Sequence, residues 1–316
     1  MKNFTSVDDV QDLEGLLSLA KIIKAAPFSH PEKGRNKTIG LLFFNPSLRT
    51  RLSTQKAALN LGMNAIVMNL NTEGWSLEFE DGAVMDGTSA EHVKEAAQVV
   101  SQYCDIIAIR SFPTLTDKEK DEEEYVISAF LKYASVPVIS LEGSTEHPLQ
   151  AVADALTIEE YKKTDRPKVV LTWAPHPKAL PHAVPNSFVK MMKKVNVDFV
   201  IAHPEGYSLN QKFIAGVTVT HNQDEAFANA DFIYAKNWSS YDDYGKILST
   251  DPSWTVTPEK MALTNDAKFM HCLPVRRNMI VTDAVLDSEA SIVIPQANNR
   301  TFAAQAILTK ILDNEQ

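Results

Sequence analysis

Apolar residues in this chain fall into short unbroken runs, separated by longer stretches in which they recur every three or four positions. The run at 37–44 (KTIGLLFF) has the length and uniform apolarity of a strand buried on both faces. Residues 49–61 then carry Leu52, Ala57 and Leu61 at helical spacing. A strand at 65–70 follows, and then a helix at 90–103 with Val93, Ala96, Ala97 and Val100 on one side. Strand 105–109, helix 122–133, strand 136–141 and helix 149–163 complete a first alternating series. After the charged segment 162–167 the series restarts. Strands are predicted at 168–173, 197–202, 217–220, 231–235 and 268–271. Helices are predicted near 186–194, 224–229 and 258–263, with a terminal helix at 303–312. Alternating strands and helices imply mainly parallel sheets with helices on both faces. The expected fold class is α/β, in two domains hinged near 162–167. In open sheets of this kind ligands sit beyond the carboxyl ends of the strands.

Composition narrows the class. The 316 residues suit two domains at ~150 residues each. A 44% hydrophobic and 22% charged make-up belongs to a globular chain, not a disordered one. Cys104 and Cys272 are too few for a disulfide framework or a four-cysteine zinc site, and no compact His/Cys cluster stands out. Neither a metal nor another cofactor is expected. No apolar stretch approaches the ~18–20 residues of a membrane span, and the start of the chain lacks a signal-peptide core. A cytoplasmic protein without a membrane partner is expected. The 31 Lys+Arg against 40 Asp+Glu, a net charge of −9, argue against a nucleic-acid partner. Glycine is scarce: 11 in 316 is about half the usual ~7%. There is no G-x-G-x-x-G and no G-x-x-x-x-G-K-[ST], so a nicotinamide-dependent hydride-transfer enzyme has no local support.

Polar clusters follow the predicted strands. Asn45-Pro46-Ser47-Leu48-Arg49-Thr50-Arg51 stands directly before a helix. A helix start offers unpaired N–H groups and a positive dipole end, and Ser47, Thr50 and Arg49 add donors. This is either a phosphate cradle built without glycine or a plain serine cap with two solvated arginines. Arg110 and Glu142 each follow a strand. His147 and Gln150 open a helix three residues apart, within reach of one object or simply as a cap. His271-Cys272-Leu273-Pro274 follows another strand, with Arg276 and Arg277 behind it. No neighbouring acid or base marks Cys272 as a nucleophile, and a buried structural thiol is its bland alternative.

Taken in order, these boxes resemble the aspartate/ornithine carbamoyltransferase family. The family's Ser-Thr-Arg-Thr-Arg phosphate motif stands here as Ser47-Leu48-Arg49-Thr50-Arg51, its His-Pro-x-Gln box as His147–Gln150, and its His-Cys-Leu-Pro box as His271–Pro274. The resemblance covers nearly the whole chain. It implies a carbamoyl phosphate-binding domain at 1–148, with a terminal helix at 299–316 packing back on it, and an amine-binding domain at 149–298. It also implies a homotrimer with active sites shared between neighbours. By the same resemblance Ser47, Leu48 (backbone), Arg49, Thr50 and Arg110 hold the phosphate. His147 and Gln150 contact the carbamoyl group, Arg300 reaches its oxygen, and Cys272 and Leu273 present backbone carbonyls to the reacting nitrogen.

The acceptor departs from plain ornithine. Ornithine enzymes carry an Asp-x-x-x-Ser-Met-Gly loop whose aspartate binds the free α-amino group. Here the stretch is Ala235-Lys236-Asn237-Trp238-Ser239-Ser240-Tyr241. A cation at Lys236 repels an α-ammonium and suits an acylated, neutral α-nitrogen beside a bare carboxylate. The proline-rich segment 173–185 reads alone as a stiff connector. It also looks like the loop that forms part of a knotted chain path in the N-acylornithine branch. That branch implies Glu142, His176 and Lys236 as acylornithine contacts, and Trp75 as a residue that enters a neighbour's site and helps hold the phosphate. Trp75 would otherwise pass as a loop anchor. Acetyl-specific members carry a glutamate on the loop matching 86–92, and succinyl-using members a proline. Ala90 matches neither, but it leaves room and no negative charge, so Arg276, with Lys178 as a further candidate, can pair a succinate carboxylate. Glu91 would return a carboxylate if the register slipped by one residue.

The resemblance thus implies transfer of a carbamoyl group from carbamoyl phosphate to the δ-amine of N-succinyl-L-ornithine in arginine biosynthesis. N-acetyl-L-ornithine is the alternative acceptor. The expected catalytic residues are Arg49, His147 and Arg300, which stabilise charge on the carbonyl oxygen. From a different class, a catalytically inert regulator binding carbamoyl phosphate or an acylated amino acid would share the fold, but here every expected reactive position is filled.

Overall fold

The computed structural model describes residues 1–314. Glu315 and Gln316, the last two residues of the expected terminal helix 299–316, lie outside the described residues. The chain forms two compact units: unit 1 takes Met1–Val152 and the chain from Arg300 onward, and unit 2 takes Ala153–Asn299.

Unit 1 is built on a parallel sheet of β1 (Thr38–Phe43), β2 (Asn64–Asn69), β3 (Ile106–Arg110) and β4 (Val138–Glu142), in the order β2-β1-β3-β4. β3 and β4 are buried at every position, and β1 at all but its first. Their near-uniform burial therefore reflects helices on both faces. α1 (Leu13–Ala25), α2 (Arg49–Asn60), α3 (Val93–Tyr103), α4 (Lys118–Glu122) and α5 (Tyr125–Tyr133) complete the unit with the first turn of α6 (Pro148–Tyr161). Leu42, Ile107, Ile109 and Val138 of the sheet pack with Val93 and Ala97 of α3 and Ile127 and Phe130 of α5. The outer edge of β4 is covered by the N-terminal segment: Phe4 N–H donates to Val138 O at 3.0 Å, and Ser140 N–H to Phe4 O at 2.8 Å. A covered edge cannot recruit another chain's strand.

Several predicted elements shift. α1 has no counterpart in the sequence reading, although Asp12 caps it by accepting from Gly15 N–H at 2.9 Å, and Leu16, Leu17, Ala20 and Ile23 form its buried face. On α2, Leu52 points outward at 57% exposure, and the buried side is Thr50, Thr54, Ala57 and Ala58. α3 begins at Val93 instead of 90, because Glu91–His92 pairs with Leu77–Glu78 in a short parallel ribbon. The terminal helix α9 (Val293–Leu312) starts ten residues ahead of the predicted 303, with Pro295 tolerated in its first turn.

Unit 2 holds a second parallel sheet: β5 (Lys168–Trp173), β6 (Asp198–Ala202), β7 (Thr218–Thr220), β8 (Phe232–Lys236) and β9 (Lys268–Met270), in the order β9-β8-β5-β6-β7. α7 (Ala183–Met192) and α8 (Gln223–Phe227) are its principal internal helices, and the rest of α6 and the start of α9 belong to the same unit. The charged segment 162–167 lies inside this unit, after α6. The proline-rich segment is braced against 237–240. Trp173 Nε1 donates to Trp238 O at 3.0 Å, Asn237 Nδ2 to Ala174 O at 2.6 Å, and Ser239 N–H to Leu180 O at 3.0 Å. Among the described residues no helix is long and apolar enough to cross a membrane.

Candidate functional site

Register brings the polar residues of unit 1 together. Phe43 lies beside Arg110 across β1–β3, and Arg110 beside Glu142 across β3–β4, where a bulge shifts the ladder. Three strands therefore release their chains at one sheet edge: Asn45–Thr50 after β1, Arg110 ending β3, and Glu142 to Gln150 after β4. Arg110, 7% exposed, is wedged into this edge. Its Nε and Nη2 meet Glu142 Oε2 at 3.2 and 3.1 Å, and its Nη1 donates to Asn45 O at 3.1 Å and also to Pro46 O. Its guanidinium stacks over the Phe112 ring at 4.1 Å. Glu142 Oε2 also faces His147 Nε2 at 3.6 Å. A buried charge pair of this kind contributes more to placement than to stability.

A second arginine staples the same region. Arg300, on α9, donates from Nη1 to Gln150 Oε1 at 2.6 Å and from Nη2 to Thr50 Oγ1 at 2.5 Å. It fixes the start of α2 against the first turn of α6. The N-cap of α2 is Leu48, which has no polar side chain to cap with, and Ser47 makes no cap in its place. The plain serine cap is thereby set aside. The first N–H groups of α2, beside Arg49, keep the anion-binding character of a helix start.

In unit 2 the same logic applies at the strand ends. Lys236 pairs with Trp173 at the last step of β8–β5, and Ala174 N–H donates to Lys236 O at 3.1 Å, which brings His176 to the same edge. Arg276 Nε donates to His176 Nε2 at 3.0 Å. An arginine can only donate, so Nε2 accepts; on the other side of the ring Nδ1 stands 2.9 Å from Lys178 O and 3.0 Å from Lys178 N. Burial holds the His176 imidazole below its ordinary pKa, and the nearby charges of Lys236, Arg276 and Lys178 push the same way. Lys178 and Arg276 themselves are exposed.

Cys272 and Leu273 follow β9. Leu273 adopts φ +56, its peptide bond to Pro274 is cis, and its N–H donates to His271 Nδ1 at 2.8 Å. Beneath them lies a buried polar array that sequence reasoning missed. Asp154 Oδ1 accepts from Gln296 Nε2 at 2.7 Å, and Gln296 Oε1 accepts from His271 N–H at 2.9 Å. The Tyr234 hydroxyl faces Asp154 and Cys272. Complete burial and these two groups raise its pKa well above the ordinary tyrosine range. Asp154 lies within helix α6, where a helical pattern gives no sign that it is buried; only the three-dimensional fold reveals it.

Trp75 and Ala90 lie on the largely exposed segment 71–90. Trp75 is 61% exposed, and its Nε1 donates to Glu91 Oε2 at 2.8 Å. Ala90 is exposed, with its N–H on Ser76 O at 3.0 Å. The Glu91 carboxylate is therefore occupied by Trp75. Arg277 is engaged by Asp283 and Asp287 on the surface. No group of three or more His, Cys, Asp or Glu that could hold a metal occurs among the described residues.

Comparison with known proteins places these groups in context. Residues 2–160 match the profile of the aspartate/ornithine carbamoyltransferase carbamoyl-P binding domain, and residues 182–311 that of the Asp/Orn binding domain. The chain is 56% identical over 316 residues to an N-succinylornithine carbamoyltransferase of Bacteroides fragilis (strain 638R), covering 99% of each chain. It is 38% identical to an N-acetylornithine carbamoyltransferase of Xanthomonas axonopodis pv. citri, covering 98% of this chain and 96% of that one. Among solved structures, acetylornithine transcarbamylase complexed with acetylcitrulline superposes with a TM-score of 0.92 at 38% identity, over 98% of this chain and 99% of that one. A variant of N-acetyl-L-ornithine transcarbamylase with one glutamate replaced by alanine, complexed with carbamyl phosphate and N-succinyl-L-norvaline, superposes equally well, with TM-score 0.92 and 38% identity over 98% and 100% of the two chains.

Proposed function

The chain belongs to the aspartate/ornithine carbamoyltransferase family, and from that premise we propose that it carbamoylates the δ-amine of N-succinyl-L-ornithine, giving N-succinyl-L-citrulline and phosphate, as a step of arginine biosynthesis. The observation that carries the acceptor is the gathering of three cations at one strand end: Arg276 bonds His176 Nε2, the Lys178 backbone meets His176 Nδ1, and Lys236 ends the strand paired with Trp173, three residues ahead of His176. N-succinylornithine brings two carboxylates to such a site, and N-acetylornithine brings one. Lys236 takes the α-carboxylate, and Arg276, with Lys178, takes the succinyl carboxylate. Ala90 supports the same reading. In a relative of known structure, a glutamate-to-alanine change accompanies a bound N-succinyl compound, and the family resemblance puts Ala90 on the loop that carries the glutamate in acetyl-specific members.

In unit 1, Ser47, Leu48, Arg49 and Thr50 hold the phosphate with Arg110. His147, Gln150 and Arg300 hold the carbamoyl group. In unit 2, the Cys272 and Leu273 carbonyls receive the δ-amine. This nitrogen attacks the carbonyl carbon, and charge builds on the carbonyl oxygen, where Arg49, His147 and Arg300 stabilise it without reorganising. The C–O bond to phosphate then breaks, and the leaving charge stays with Arg49, Arg110 and the start of α2. The amine must arrive unprotonated, against a pKa near ~10.4 in water; neighbouring cations and burial lower it. A phosphate oxygen takes the departing proton, so no protein base is required. Trp75 and the Ala90 loop, both exposed, reach the site of a neighbour in a homotrimer, and the bracing of 173–185 against 237–240 fits a knotted chain path.

The test is an acceptor comparison. With carbamoyl phosphate, N-succinylornithine should give ureido product faster than N-acetylornithine or ornithine. Preference for free ornithine would overturn the role of Lys236, and preference for N-acetylornithine would overturn the argument from two carboxylates. Sedimentation equilibrium checks the trimer, and a monomer mass in the active protein would remove the shared site.

A further inference from the structure

The two loops that carry the site residues of unit 1 are held from behind by two carboxylates three residues apart. Asp121 lies in the last turn of α4, and Glu124 stands between α4 and α5 in the left-handed region at φ +52. Asp121, 4% exposed, accepts from Thr114 N–H at 2.8 Å, Leu115 N–H at 2.9 Å and Thr114 Oγ1 at 3.1 Å. These lie on the chain just after Arg110. Glu124 accepts from Ser144 N–H at 2.7 Å on Oε2, and from Thr145 N–H at 2.6 Å, Thr145 Oγ1 at 2.7 Å and Glu146 N–H at 3.2 Å on Oε1. These lie between Glu142 and His147. Gly143 completes the fit: a Cβ there would stand 2.3 Å from Glu124 Oε2. Its own N–H donates to Glu146 O at 2.8 Å and folds the loop tightly over the carboxylate.

We propose that Glu124 is a positioning residue for carbamoyl transfer, holding the 143–147 loop so that His147 keeps its place beside Glu142, which β4 itself holds against Arg110. The inference rests on the function proposed above. An anion accepting several backbone N–H groups is a strong and directional clamp. The loop it clamps has Glu142 at one end and His147 at the other, and both meet at Glu142 Oε2, 3.6 Å from His147 Nε2. Without the clamp His147 loses its fixed approach to the carbamoyl carbonyl. The start of α2 is untouched, because none of the four bonds reaches Ser47–Thr50. Misplacing a catalytic contact by about 1 Å is enough to lower a rate by ~10²-fold.

The experiment compares Glu124→Gln with the parent enzyme in three readouts: kcat, the inhibition constant of inorganic phosphate, and the thermal midpoint. An amide has one acceptor oxygen, so one set of loop N–H groups faces a donor. The expected result is a fall in kcat of at least about tenfold, with phosphate inhibition unchanged within about twofold. A kcat within about twofold of the parent in a folded variant overturns the proposal, and so does a parallel loss of kcat, phosphate affinity and thermal midpoint, which marks a merely structural residue. Should Glu124→Gln fail to fold, Thr145→Val removes the hydroxyl bond to Glu124 and keeps the backbone ones. It should lower kcat about threefold with unchanged phosphate inhibition, and an unaltered kcat is equally fatal. Gly143→Ala should lower kcat in the parent but add nothing in a Glu124→Ala background, where the clash is gone; an additive double variant overturns the proposal. A parent enzyme that makes no ureido product on any acceptor sinks the function, whereas an active parent with an indifferent Glu124→Gln sinks the positioning role alone.

Discussion

Arg300→Lys isolates what a guanidinium fork does that a point charge cannot. Arg300 is 7% exposed and divides its donors between Gln150 Oε1 at 2.6 Å and Thr50 Oγ1 at 2.5 Å. Lysine keeps the charge and much of the length, but its single nitrogen cannot span two acceptors that a rigid fork holds apart. One of the two bonds is lost. A hydrogen bond from a charged group contributes ~1.5–3 kcal/mol, and the site is buried, so solvent does not screen it away. At ~1.36 kcal/mol per decade, kcat/KM for carbamoyl phosphate falls roughly 10- to 150-fold if the staple is intact in the transition state. The same loss lowers the thermal midpoint by about 3–12 °C at ~2–4 °C per kcal/mol. The assay is initial-rate phosphate release with carbamoyl phosphate varied, alongside thermal unfolding with and without that substrate. A rate within about threefold of the parent, together with an unshifted midpoint, would refute the reasoning, because it would mean that one donor is enough to hold α2 to α6.

Arg49→Ala should lower turnover ~10²–10³-fold, the range for removing one donor to a developing charge; near-normal phosphate release would take Arg49 out of the phosphate site. Ala90→Glu should lower the N-succinyl to N-acetyl ratio of kcat/KM by at least about fivefold, since like charges 4 Å apart repel by ~1 kcal/mol even in water; an unchanged ratio means that the loop does not meet the acyl group. His176 supplies a pH dependence. Its folded pKa is depressed below the ordinary 6.5, so below that value the unfolded chain takes up a proton that the folded chain refuses. Stability therefore falls as the pH drops from there toward the folded pKa, and His176→Gln should flatten the slope of thermal midpoint against pH; an identical slope in the variant would exclude His176 as its source. Asp154→Ala strands the Gln296 amide beneath His271 and should cost ~1–3 kcal/mol in denaturant unfolding; a midpoint equal to the parent's would show that water replaces the carboxylate.

The legible parts of this molecule are those whose information is local. The apolar runs at 37–44 and 168–173 became β1 and β5 within a residue or two, because a strand buried on both faces leaves no other pattern. Arg49, His147 and His271 are conspicuous in the sequence because they follow strands in short boxes. Leu52 was misjudged because a helix pattern does not say which of its apolar residues meets the sheet. α1 escaped notice even though Asp12 and Gly15 form an ordinary cap. Glu124, Asp121, Asp154 and Gln296 were illegible for another reason. Each works by bonding residues distant in sequence, such as Glu124 with Thr145 and Asp154 with Gln296, and nothing in the neighbouring residues marks the partner.

The scarcity of glycine then acquires a structural reason. A glycine-rich phosphate loop turns its backbone N–H groups toward the anion. Here the backbone N–H groups of two strand-end loops are turned the other way. Thr114 and Leu115 give theirs to Asp121, and Ser144, Thr145 and Glu146 give theirs to Glu124. In the proposed site an anion at that edge is met by the start of α2 and the side chains of Arg49, Arg110, His147 and Arg300. Side chains need fixed rotamers where backbone needs only a turn, and this accounts for the staples: Arg110 is seated on Glu142 and the Asn45 carbonyl, and Arg300 on Gln150 and Thr50. At Gly143 the missing Cβ makes room for the Glu124 carboxylate rather than for a phosphate. A net charge of −9 is compatible with anion recognition for the same reason. Several of the carboxylates near this edge are spent on holding cations and loops in position, so that the field meeting the substrate is set by where the arginines are fixed and not by the sum over the chain.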